Sequence, residues 1–183
     1  DQYVLKPIVK AMLAAVGRPR ANVQVCQDPL LGGVEQALRW ERISEIIDSY
    51  PQVDLFLLLV DRDGDEHRHV RLENIERQAA AILAVNRRLC AEHAWQEVEV
   101  WALAGCVDLL REWEWRAIRS ERDPKEAYFN PYVGRRGLQN EPGSGRKTLG
   151  RDAGNRYQRV CQRCPEVGEL EARIQEWIDS RAP

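Results

Sequence analysis

The chain has no long apolar run, no excess of charge of either sign and no even set of cysteines, and each absence removes a class of protein. Its longest apolar stretch, Val53 to Val60 with Asp54 inside it, has the length of a buried strand and is far too short to cross a bilayer. The formal net charge is only -2, so binding to DNA through an overall basic character is excluded and any nucleic-acid contact must come from a local patch. Cys26, Cys90, Cys106, Cys161 and Cys164 are odd in number and scattered, and no secretory signal precedes them. That pattern argues against a disulfide scaffold and for a reducing compartment, so the expectation is a soluble cytoplasmic protein without a membrane segment. No internal repeat is present. The chain opens on Asp1 rather than Met, as a processed or shortened product does.

What is there suffices for one compact domain with a modest appendage: 183 residues, 44% of them hydrophobic. Val4, Leu5, Ile8, Val9, Met12, Leu13 and Val16 form one helical stripe that Gly17 and Pro19 end. Asn22-Val23-Gln24-Val25 alternates as a half-buried strand does. Gly32-Gly33 then opens a second helix carrying Val34, Leu38, Ile43 and Ile47, which Pro51 closes. The nearly unbroken run from Val53 to Val60 predicts a strand covered on both faces, as in a parallel sheet. A third helix over roughly 70–90 places Leu72, Ile75, Ala79, Ile82, Leu83 and Leu89 at helical spacing. Residues 94–103 alternate as a short strand that runs into a helix.

This order predicts an α/β fold with a parallel sheet, whose ligands collect at the carboxyl ends of the strands. A loop rich in Gly, Pro, Asn and Ser spans 134–145, and helices are expected near 149–162 and from Pro165 to about Ser180. The expected organisation is an α/β domain over 1–118 and a mostly helical extension over 119–183 packed on it.

At the mouth of the buried strand stands Asp61-Arg62-Asp63-Gly64-Asp65. Side chains at i and i+2 share a face, so Asp61 and Asp63 can turn toward one hard cation of the magnesium type. Asp and Gly in this pattern also serve simply as a turn and helix cap. An EF-hand is excluded, because its sixth and twelfth positions would hold Glu66 and Leu72 where Gly and Glu are required. A haloacid-dehalogenase-type phosphatase motif would have threonine where Asp65 stands, and no paired downstream acidic motif follows. His67, His69 and His93 with the single Cys161-x-x-Cys164 make a weak zinc signal.

Three stretches together resemble the Toprim superfamily, in particular its small bacterial stand-alone members related to overcoming-lysogenization-defect nucleases, which are often encoded beside an ABC-type ATPase in phage defence loci. Leu57 to Asp65 looks like the Toprim strand with its Asp-x-Asp motif, and Gln96 to Leu103 is similar to the acidic motif on the following element. Gly145-Arg146-Lys147-Thr148 with Arg163-Cys164-Pro165-Glu166 resembles their basic loop and helix start. A Toprim domain begins with a strand ending in Glu-Gly-x-Thr-Asp/Glu, and this chain opens where that motif closes, with Asp1 in the place of its last acid. The resemblance therefore implies a first strand missing from this chain.

The resemblance further implies a nuclease that cleaves DNA or RNA phosphodiesters with Mg2+ or Mn2+. Its metal ligands would be Asp61, Asp63 and Glu99, with Asp1 and Asp65 in support and Glu97 as the rival of Glu99. On a helix the two glutamates point well apart, so one of them faces the metal. Lys147 would offset charge in the reaction, and Arg135, Arg136, Arg146, Lys147 and Arg151 would hold phosphates. The implied setting is an antiviral defence system with an ATPase partner, and a homo-oligomer is compatible with it. The rival class is a Toprim-shaped sensor or cargo subunit of an ATPase assembly, inactive alone.

Overall fold

The structure, a computed structural model, describes residues 2–181. Among them are ten α-helices, one π-helical turn and two strands. Helix α1 (Gln2–Ala15) leads through an irregular stretch to α2 (Gly33–Ala37) and α3 (Trp40–Ser49). Strand β1 (Leu55–Asp61), α4 (Arg68–Ile82) and β2 (Arg88–Ala94) follow as a strand-helix-strand unit. Short helices α5 (Glu99–Ala104) and α6 (Trp115–Ser120) come next, then a π-helical turn (Lys125–Phe129) continuing into α7 (Asn130–Arg135). The chain closes with α8 (Arg146–Asn155), α9 (Tyr157–Arg163) and α10 (Pro165–Asp179).

The two strands are parallel and in register from Leu55 opposite Arg88 to Asp61 opposite Ala94. Alternation along β1 divides its side chains between two cores. Leu55, Leu57 and Leu59 meet a large core built from α1, α5 and α7–α10, and Phe56, Leu58 and Val60 meet a smaller one from α2, α3 and α4. Helices thus cover both faces of the sheet, which is what an uninterrupted apolar strand requires. The outer edge of β2 is closed by side chains: Glu76 accepts from the Ala91 N–H at 2.6 Å, and Arg173 donates to the Ala91 carbonyl at 3.0 Å. Such plugging stops a strand from pairing further.

Segment 119–183 shares the large core, with α8 wedged between α1 and α5 at backbone contact. A Cβ on Gly150 would lie 2.2 Å from the Tyr3 carbonyl oxygen, and one on Gly105 would lie 2.4 Å from the Ala153 Cα. Pro7 deprives the Tyr3 carbonyl of its usual helical donor, and Gly150 approaches at that point.

Several elements differ from the sequence expectation. Asn22–Val25 forms no strand: no neighbouring strand offers its backbone a ladder, and Val25 is exposed. The single helix expected between Gly32-Gly33 and Pro51 breaks at Leu38-Arg39, where Arg39 turns extended, so Ile43 and Ile47 of α3 face the sheet independently of α2. The expected helix over 70–90 stops at Ile82, and Leu89 belongs to β2. Arg87 enforces that turn by donating to the carbonyls of Ile47, Tyr50 and Val53 at 2.9–3.1 Å, tying the end of α3 and the approach to β1 to the start of β2. The second strand therefore lies over 88–94, and most of 94–103 is a turn and helix α5. The helix expected near 149–162 is two, α8 and α9, meeting at Asn155-Arg156.

Candidate functional site

The loop after β1 is fastened to the loop after β2 by three successive backbone N–H groups. Arg62 donates to the Ala94 carbonyl, Asp63 to the Gln96 carbonyl and Gly64 to the Gln96 side-chain oxygen, each at 3.1 Å. Asp63 (φ 51°) and Gln96 (φ 69°) both take the left-handed conformation, which Asp adopts more readily than most residues. Buried Arg68 clamps the loop from below, its guanidinium donating to the Arg62 carbonyl at 3.3 and 3.4 Å. The acidic loop is thereby held at both ends of the turn.

Asp61 is turned inward. By strand parity its side chain points to the α1–α5 side, where Oδ1 accepts from the Val98 N–H at 2.8 Å. A cavity of ≈ 60 Å³ lies beside it, lined by Leu5, Leu59, Ala94, Val98 and Trp101 among others. Burial pushes the Asp61 carboxyl up to about 6, against the Val98 N–H, and the charges of Glu99 and Asp63 push in the same direction as burial. Glu97 accepts from the Lys125 N–H at 2.8 Å, and burial pushes it up to about 7, helped by Glu99, Glu126 and Asp61. Glu99, buried in the first turn of α5, receives Nε of Arg146 at 2.9 Å and a second bond from Nη2 of the same guanidinium.

The structure therefore brings Asp61, Glu97 and Glu99 into electrostatic contact, with exposed Asp63 also felt by Asp61. Asp65 is engaged otherwise: Oδ1 accepts from the His67 N–H at 2.9 Å, and Oδ2 faces Arg68 and Arg71 at 3.7 and 3.9 Å. Asp1 lies outside the described residues. Of the basic set, Arg146 reaches the carboxylates. Arg136 lies over the Tyr132 ring and 3.6 Å from Asp152, while Arg135, Lys147 and Arg151 are exposed. Cys161 and Cys164 sit at the α9–α10 junction, where burial raises both thiols.

The donor set suits a hard divalent cation, since it is made of carboxylate oxygens whose crowding disfavours their own ionisation. The ligands are nonetheless not assembled: among the described residues no three His, Cys, Asp or Glu side chains are grouped as a metal site. The chemistry of the residues fits such an ion, and closing on it would require Glu99 to leave Arg146.

Sequence reasoning gave Gln96 no role of its own, yet its backbone and side chain together organise the loop. Trp95 was marked only as one of six tryptophans that could stack on bases or dock a partner, and in the structure Arg62 lies over its ring. Comparison of the chain with protein-family models, with curated proteins and with solved structures returns no match.

Proposed function

We propose that the carboxyl end of β1 is a divalent-cation site and that the chain is a Toprim-like, metal-dependent nuclease acting on nucleic-acid phosphodiesters. The observation that carries this reading is Asp61: a carboxyl at a strand end, turned inward on the Val98 N–H beside Glu97 and Glu99, and pushed up to about 6 by burial with the charges of Glu99 and Asp63 adding to it. Asp61 and Asp63 would hold Mg2+ or Mn2+ with Glu99 or Glu97. The bound ion would supply a water of lowered pKa and neutralise charge on the leaving oxygen. Arg146, released from Glu99, and Lys147 beside it on α8 would meet phosphate oxygens. The cellular setting that accompanies this reading is antiviral defence with an ATPase partner.

The test is nicking of plasmid or cleavage of RNA in Mg2+ or Mn2+, expected for the wild-type protein and lost in the Asp61→Ala, Asp63→Ala double variant. A second reading, a Toprim-shaped subunit that serves an ATPase assembly without cutting, is favoured by the ion pair that occupies Glu99. Toxicity that depends on a partner and survives the double substitution would support it.

A further inference from the structure

Arg62 is a cation between two candidate ligands, Asp61 and Asp63, yet it pairs with neither. Its guanidinium carbon stands 4.1 Å from the centroid of the Trp95 ring, and among the described residues no carboxylate comes within ion-pair distance of it. Its backbone is fixed on both sides, the N–H on Ala94 and the carbonyl under Arg68. Trp95 is 37% exposed although it follows directly on buried Ala94. The other guanidinium over this ring, Arg119 at 5.5 Å, is committed to both oxygens of Glu166. Across the loop, Arg122 is exposed, with Nε 3.8 Å from where a Cβ on Gly64 would stand, and it too has no acidic partner among the described residues.

A guanidinium lying on an aromatic ring has its face occupied and its edge donors free. Those donors lie in one plane, in the geometry that meets two phosphate oxygens at once. The part of the Trp95 side chain that the two guanidinium groups leave exposed is the surface open to an unpaired base, and alternation of cation and aromatic surface is how a single strand is held. We infer that Arg62 and Trp95, with Arg122, form a subsite for single-stranded nucleic acid on the rim of the carboxylate site, phosphate on Arg62 and the neighbouring base against Trp95. The inference rests on the reading of the site as one that acts on nucleic acid, and it names the form of substrate: an unpaired strand, brought to Asp61 by contacts that need no metal.

The test is fluorescence anisotropy with fluorescein-labelled 12-mers of oligo-deoxythymidine and oligo-uridine, in EDTA, over a series of salt concentrations. A mixed-sequence duplex of the same length is the comparison. The wild-type protein binds the single strands more tightly than the duplex. Arg62→Ala weakens single-strand binding about tenfold and flattens its salt dependence by roughly 0.7 in log–log slope, the value of one phosphate contact. Arg62→Lys restores the slope but not the full affinity, and Trp95→Phe retains binding that Trp95→Ala loses by about tenfold. The lysine and phenylalanine variants keep the test open if an alanine variant melts early.

Single-strand affinity unchanged in Arg62→Ala, or a preference for duplex, overturns this subsite. If the wild-type protein still nicks plasmid in Mg2+, the nuclease reading survives that result. A wild-type protein that neither binds the oligonucleotides nor cuts plasmid overturns both. Preference between the two oligonucleotides assigns the strand as DNA or RNA.

Discussion

Two groups of carboxylates flank the ends of the short sheet, and they differ in how their charge is met. Around β2 and α10, Glu166 accepts from the Trp95 N–H, the Trp101 indole and both Nη of Arg119, while Glu76 and Glu92 share Arg173 and each also takes a backbone N–H. Around the end of β1, Asp61, Glu97 and Glu99 have one guanidinium among them within the described residues, where Asp61 accepts the Val98 N–H and Glu97 the Lys125 N–H. The first group spends its charge on holding α10 and α6 to the sheet. Among the described residues the second keeps acids in excess of cations, which is a costly arrangement. The contrast teaches that buried acid alone does not mark a site; the group short of donors is the one that the proposed cation would complete.

The largest expected effect breaks the balanced group. Glu166→Ala leaves the Arg119 guanidinium and the Trp101 N–H without their acceptor, and should cost about 3–5 kcal/mol in urea unfolding. Little change would mean that water replaces the carboxylate freely. Glu92 sharpens the comparison within the balanced group. Burial pushes its carboxyl up to about 7 from 4.5, because the Arg173 guanidinium, one third exposed and shared with Glu76, offsets only part of that burial. The proton it holds in the fold therefore stabilises fully below pH 4.5, and this contribution is lost as pH rises through 7. Glu92→Gln should shrink the loss of stability between pH 4.5 and pH 8 by on the order of 1–3 kcal/mol, measured by unfolding at the two pH values.

The smallest effect belongs to the unbalanced group. Asp61→Asn keeps an acceptor for the Val98 N–H and removes an opposed charge, and Glu97→Gln does the same beside Lys125. Each should leave stability at pH 8 unchanged or raise it by up to about 1 kcal/mol in thermal or urea unfolding. A loss of several kcal/mol from either would place these acids with the structural ones.

Much of this was legible in the sequence where one kind of contact dominates. The leucines of β1 touch helices on both faces, so apolar continuity marked the strand, and Pro165 marked the start of α10 because the first helical turn needs no N–H there. The second strand was hidden, since Arg88-Leu89-Cys90-Ala91-Glu92-His93-Ala94 shows no alternation: Cys90 and Ala91 are buried on opposite faces, and Glu92 is partly buried in an ion pair. Helix α5 was foreseen only as the end of a short strand, for a related reason. Every residue of it is buried, Glu99 included, so it presents no stripe, and its first residues mimic alternation. At the candidate site, the sequence pointed to Asp61 and to the pair around Val98. The partner of Glu99 was beyond reach, because Arg146 arrives from 47 residues away through the packing of α8.

That packing has a kinetic meaning. With Gly150 against the Tyr3 carbonyl and Gly105 against Ala153, α8 rests at backbone contact on both neighbours, a close-packed seam that resists sliding. Uncovering Glu99 therefore falls to rotation about the bonds of one arginine side chain, a swivel rather than a hinge.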